Sequence, residues 1–146
     1  MNQQKSFVVR KADIAKTLKT KPIDGKRLLE PMKAIAATHG LPMNILEDRN
    51  VANDAEVHTR EGDLWHCLEG SVTFVCGGKM VAPWYGKKAD GTENKNEIKA
   101  KKIKGGKTMI LSSGDWLWIP AGVSHSHRTK GIARLVIIKI PKVASN

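Results

Sequence analysis

The sequence predicts an all-β domain, a barrel or sandwich of short antiparallel strands behind a short helical or extended segment. From Met43 onward, short apolar runs recur at spacings of 8 to 12 residues. Glycine and proline turns punctuate them, and there are no internal repeats.

Before Met43 the signals are mixed. Phe7-Val8-Val9-Arg10 is a candidate edge strand. Ile14 and Leu18 lie four residues apart, enough for one or two helical turns over Asp13 to Lys19. Pro22 and Gly25 then break the chain. Residues 28–38 read as strand or helix, and Pro31 argues against a long helix.

The β region is read as follows. Strands are expected at Met43 to Asp48, Ala55 to His58, Asp63 to Leu68 and Ser71 to Cys76, with Glu69-Gly70 as a tight hairpin turn between the last two. Gly77-Gly78 closes the next turn. Residues 84–107 are polar and glycine-punctuated, so an extended, loosely packed surface loop is expected, with room for one strand at Glu97 to Ile103. Strands resume at Thr108 to Leu111, Trp116 to Ile119, Ser124 to Thr129 and Ile132 to Ile140. This gives one domain, with 1–42 as an N-terminal extension packing on a barrel of 43–146.

Composition bounds the function. The 146 residues suffice for a core without staples. No apolar run approaches the ~20 residues of a membrane span, and Met1-Asn2-Gln3-Gln4-Lys5 lacks the apolar stretch of a signal peptide. Cys67 and Cys76 are too few and too far apart for a zinc knuckle and suit a reducing compartment, so a cytoplasmic protein is expected. A hairpin centred on Glu69-Gly70 would set Cys76 opposite Asp63, away from Cys67, which speaks against a disulfide. The net charge of +11 raises the question of nucleic acid. The lysines from Lys87 to Lys107 have no aromatic residues among them for base stacking, and no nucleic-acid motif is present. The expectation is a solvated basic surface that draws small anions toward a cleft.

Two stretches carry chemistry. Gly114-Asp115-Trp116-Leu117-Trp118-Ile119-Pro120-Ala121-Gly122-Val123-Ser124-His125 fits the pattern G-x5-P-x-G-x2-H at its four fixed positions. With Gly near ~7% and Pro near ~5%, chance produces it in roughly one chain in a thousand. Glu56-Val57-His58-Thr59-Arg60-Glu61-Gly62-Asp63, ending on Gly70, approaches H-x-H-x(3,4)-E-x6-G, with Glu56 in place of the first His and Asp63 in place of the Glu.

Together these stretches resemble the two motifs of the small single-domain cupins, over about residues 43–140. The segment from Asn96 to Gly106 is similar to the long inter-motif loop of one branch of small bacterial cupins. Thr129 stands where the second motif has Asn. The resemblance implies a double-stranded β-helix (a jelly-roll barrel), often dimeric, with one divalent metal near its mouth. The matched ligands are His58 and His125, with Asp63 by similar chemistry and Glu56 by position.

Strand alternation turns Glu56 and His58 to one face, Asp63, Trp65 and Cys67 to one face, and His125 and His127 to one face. His66 lies opposite Asp63 and faces outward. Two inward carboxylates need a counter-charge, which a divalent cation supplies. Nitrogen and oxygen donors suit Zn, Fe(II), Mn or Ni, and two His with one carboxylate resemble the non-haem iron set. Asp63 is a ligand or the acceptor that holds a His ring. Glu56 is a ligand, a general base or an ion-pair partner. His127 is a core residue or a proton shuttle. Trp65 is expected to line the cavity and Cys67 to be a buried inert thiol.

Two functions follow from these readings. One is a small metalloenzyme of oxygenase, isomerase or lyase type, acting on a small organic molecule, partly apolar and anionic. The other is a ligand-binding module without turnover. A homodimer is expected, with no nucleic-acid or membrane partner.

Overall fold

The computed structural model describes residues 5–144. The elements in chain order are α1 (Lys11–Leu18), β1 (Gly25–Leu28), α2 (Met32–His39), β2 (Met43–Arg49), β3 (Ala55–His58), β4 (Glu61–Cys76), β5 (Lys79–Val81), β6 (Trp84–Lys87), β7 (Glu93–Ala100), β8 (Lys102–Lys104), β9 (Lys107–Ser112), β10 (Trp116–Ile119), β11 (His125–Arg128) and β12 (Ile132–Pro141). Ten of these strands form the jelly-roll barrel that the motifs implied, from two antiparallel sheets sharing β4, and β5 and β8 pair as a separate two-stranded ribbon. One sheet runs β1-β2-β12-β4-β10. The other runs β9-β4-β11-β3-β7-β6.

The inner faces of both sheets meet in the main core. Leu46, Trp65, Phe74, Leu117, Leu135 and Ile137 all belong to it. Each strand reaches this core with every second residue, as Ala133, Leu135 and Ile137 do from β12. A second core lies on the other face of β2 and β12, where Ile45 and Val136 pack with Leu29 and Met32 and with Ile14 and Leu18 of α1. The buried Glu47 and Arg134 sit on that same face, 2.6 Å apart. Arg134 also donates to the Leu18 carbonyl at 2.5 Å, fastening the end of α1 to the sheet.

Three expectations are corrected here. Glu69-Gly70 is not a hairpin turn. β4 runs unbroken for 16 residues, pairing with β12 and β10 before Gly70 and with β9 and β11 after it. A register shift between Arg134 and Leu135 marks a bulge there, and Gly70 takes φ +73. A Cβ on Gly70 would lie 2.0 Å from the Ile132 carbonyl oxygen, so glycine serves a strand corner pressed against β12.

Phe7-Val8-Val9-Arg10 forms no strand. Phe7 stacks on His39 instead, with ring centroids 3.6 Å apart.

The segment 84–107 is not a loose loop: β6, β7 and β8 occupy most of it, and β7 pairs with β3 from Glu97 to Ala100. Polar side chains hid this because β7 lies toward the end of its sheet, where alternation carries no apolar signal.

Candidate metal centre

β3 places Glu56 and His58 on one face, two residues apart. β11 runs beside it with His125 in register with Glu56. Asp63 arrives on β4. Glu56 Oε1 lies 3.7 Å from His58 Nε2 and 3.5 Å from His125 Nε2. Asp63 Oδ2 repeats the same pair of distances from the other side, 3.7 Å and 3.5 Å. The structure thus brings together all four residues named from the motifs. Donor atoms of Glu56, His58 and His125 lie within 4.8 Å of one another, and Asp63 stands outside that compact set.

The local chain prepares His125 for this position. The turn at Pro120 to Gly122, with Gly122 at φ +85, brings the chain into β11. His125 Nδ1 then donates to the Val123 carbonyl at 3.0 Å, which leaves Nε2 facing the carboxylates. His125 Nε2 and Asp63 Oδ2 are fully buried, and neither has a hydrogen-bond partner of good geometry.

Burial would raise the Glu56 carboxyl, but the facing imidazoles of His125 and His58 outweigh it and hold the group far below the ordinary range. Burial likewise opposes ionisation of Asp63, and the facing His125 imidazole together with the hydrogen bond from Lys139 reverses that. Burial would lower the His125 imidazole, yet the facing Asp63 and Glu56 carboxylates push it up to about 9.

Lys139 was missed by the sequence reading. Its Nζ lies 2.6 Å from Asp63 Oδ1 and 3.3 Å from His58 Nε2. A signal existed: Lys139 continues the inward series of Leu135 and Ile137 on β12, so it too points into the barrel. With Lys139 beside Asp63, a metal is no longer the sole counter-charge available to the two acids.

The cluster opens on a cleft of about 380 Å³. His58 and Lys139 border it, with Arg60 and Glu61 on one side. Asn94, Asn96 and Glu97 of β7 complete it, so the lysine-rich segment builds a wall of the cleft. β7 sets Glu97 opposite His58 and Lys99 opposite Glu56, and Lys99 pairs with Glu97 at 3.1 Å.

The remaining named residues lie elsewhere. Trp65, expected to line the cavity, is 3% exposed and packs in the core against Phe74 and His127. The cleft beside His58 is polar, which removes the ground for a partly apolar substrate. His127 is also buried there, its Nε2 facing Asp48 Oδ2 at 2.6 Å with Asn53 alongside. His66 faces the opposite way from Asp63 and stacks on Trp116, ring centroids 4.0 Å apart. Cys67 is buried and free, and burial raises its thiol. No described helix is long and apolar enough to cross a membrane.

Neither a family model nor a curated protein matches the sequence. Solved structures do resemble it. Protein NMB1881 from Neisseria meningitidis is 15% identical with a TM-score of 0.50, over 87% of this chain and 94% of that one. YcfD of E. coli is 15% identical with a TM-score of 0.55, over 83% of this chain but 34% of its own. An oxalate oxidase in complex with the substrate analogue glycolate is 16% identical with a TM-score of 0.44, over 70% of this chain and 43% of that one. At such identities the likeness concerns the fold. Two antiparallel sheets curled around an inward His-Glu-His cluster, with the G-x5-P-x-G-x2-H turn delivering one histidine, give this chain the jelly-roll fold of the cupins.

Proposed function

We propose that this chain is a small metal-binding cupin of the cytoplasm, an enzyme of oxygenase, isomerase or lyase type that acts on a small polar organic molecule. One observation carries the reading: Glu56, His58 and His125 present an oxygen and two nitrogens within 4.8 Å of one another beside a cleft. Two donors each about 2.1 Å from a shared ion in tetrahedral coordination are about 3.4 Å apart. The Glu56-imidazole separations of 3.5 and 3.7 Å are close to that. The unpartnered Nε2 of His125 has the chemistry of a ligand without its ion. Zn, Fe(II), Mn or Ni suits this donor set. Such an ion would polarise a bound oxygen and lower the proton affinity of water.

In this reading Glu56 is a ligand in preference to a general base, because both imidazoles face one of its oxygens. Asp63 holds Lys139 through Oδ1 and keeps Oδ2 toward the two rings. His127 stays with Asp48 and shuttles no proton to the cleft.

The second reading is a ligand-binding module without turnover. It is favoured by one specific observation: Lys139 and a protonated His125 would balance Glu56 and Asp63 without any ion.

Metal content by mass spectrometry and calorimetric titration with Zn, Mn, Fe(II) and Ni tests the choice. Wild type should take up one ion per chain. His125→Ala should lose at least ~100-fold in affinity, more than removal of an outer partner costs. His66→Ala, on the far side of β4, should stay within about threefold. A wild type that stays empty at saturating metal leaves the binding module as the reading.

A further inference from the structure

We infer that Lys139 is the specificity-determining residue of the cleft, and that the molecule it selects is a small monocarboxylate. This rests on the metal reading above and goes beyond it by naming the ligand class and the residue that chooses it.

Glu56 and Asp63 bring two negative charges, and Lys139 returns one positive charge to the same cluster. At the rim, Lys99 pairs with Glu97, and Glu61, 3.8 Å from Lys139, and the exposed Arg60 bring one charge of each sign. A divalent ion bound by neutral imidazoles therefore leaves the cluster with one positive charge in excess. The inner end of the cluster is poorly solvated, since Asp63 and His125 are each 1% exposed, while Lys139, 36% exposed, reaches from it to the cleft. An excess charge in such a place is costly, and a monoanion from the cleft would cancel it. Without the ion, the two acids face only Lys139 and the imidazoles, so no positive charge is in excess and the anion should follow the ion and not precede it.

Position then selects Lys139 as the recognising group. Its Nζ lies 3.3 Å from His58 Nε2, so it sits next to any ion held by that nitrogen. Asp63 holds the ammonium at 2.6 Å through one of its three protons, and Glu61 is more distant at 3.8 Å. A proton remains for a carboxylate oxygen in the cleft, where a charge-assisted bond is strong. Arg60 is exposed and forms no ion pair among the described residues, so solvent screens it. Asn94 and Asn96 add amide groups that suit a second polar substituent on the ligand. The whole cleft, about 380 Å³, is sized for a small molecule and not a polymer.

Cobalt-loaded protein, titrated with acetate and with the neutral isostere acetamide, provides the test. Calorimetry gives the affinities, and the visible absorption of Co(II) reports whether the added molecule perturbs the ion. Acetate should bind at least tenfold tighter than acetamide and shift the cobalt spectrum. Lys139→Gln should erase most of that preference while cobalt affinity changes by less than threefold or rises. Lys139→Arg keeps the charge and guards against a fold defect, because it should retain a clear preference for acetate. Arg60→Gln should cost less than threefold. Equal binding of acetate and acetamide overturns the inference while leaving the metal reading intact. So does a preference that survives Lys139→Gln or that falls as far in Arg60→Gln. A chain that takes up no cobalt or zinc overturns the metal reading and this inference with it.

Discussion

His125 shows how a single residue couples fold and chemistry. The Val123 carbonyl accepts a hydrogen bond from its Nδ1–H, which keeps Nε2 turned toward Glu56 and Asp63. In metal-free protein the two carboxylates push this imidazole up to about 9, against an ordinary 6.5. A raised pKa stabilises the fold fully below the unfolded value and loses that contribution as pH climbs through the folded one. Glu56 and Asp63 are shifted down, so their contributions are present above their ordinary 4.5 and 3.8 and vanish as pH falls below them. The melting temperature in chelator should therefore be highest between about pH 4.5 and 6.5 and decline from there toward pH 9. His125→Gln should flatten the upper decline and leave the acid limb. Thermal melts followed by circular dichroism across this range check both limbs, and an undiminished upper decline in the variant would assign it to other groups.

At the scale of elements, β4 decides the geometry of the site. One strand serves both sheets, so the positions of Asp63, before the corner, and Cys76, beside His125 after it, are set by the same backbone. Gly70 makes that corner possible. Gly70→Ala would drive a methyl into the Ile132 carbonyl and should cost more than ~3 kcal/mol in urea unfolding. Gly114 also has positive φ, at +96, but nothing lies within 4 Å of a Cβ there. Gly114→Ala should thus cost only the ~1–2 kcal/mol of left-handed backbone. Equal losses at the two positions would mean that the corner relaxes freely.

The attachment of α1 is a second test at this scale. Arg134→Met leaves the buried Glu47 with Arg27 as its remaining ion-pair partner, and the loss of a buried partner typically costs ~3–5 kcal/mol. Adding Glu47→Met should recover part of it, measured in the same unfolding experiment.

For the whole molecule, the expected homodimer keeps its place as a proposal with altered grounds. Phe7 to Arg10 does not extend a sheet edge, but β10 exposes Trp116 and Trp118, two residues apart on one face. Light scattering at micromolar concentration should give twice the chain mass, and Trp118→Glu should shift it toward the monomer. A wild-type monomer ends that proposal. The balance between local and tertiary information follows the same division of scale. Side-chain alternation is a property of the strand itself, so the pairing of Glu56 with His58 on one face, the outward turn of His66 and the inward His125 were legible in the residues alone. The turn that delivers His125 was legible for the same reason, since Gly114, Pro120 and Gly122 act on their own backbone. What the residues alone left open was which strand lies beside which. Register is set by contacts between distant segments. Lys139 meets Asp63 across 76 residues, and β7 becomes a wall of the cleft only because β3 pairs with it. The corner at Gly70 belongs to the same class, because a glycine with positive φ suits a hairpin and a bulge alike, and only the approach of Ile132 selects the bulge. The residues alone pointed to a barrel and four inward ligand candidates; contacts between distant segments supplied Lys139 as their counter-charge and the polar cleft that His58 borders.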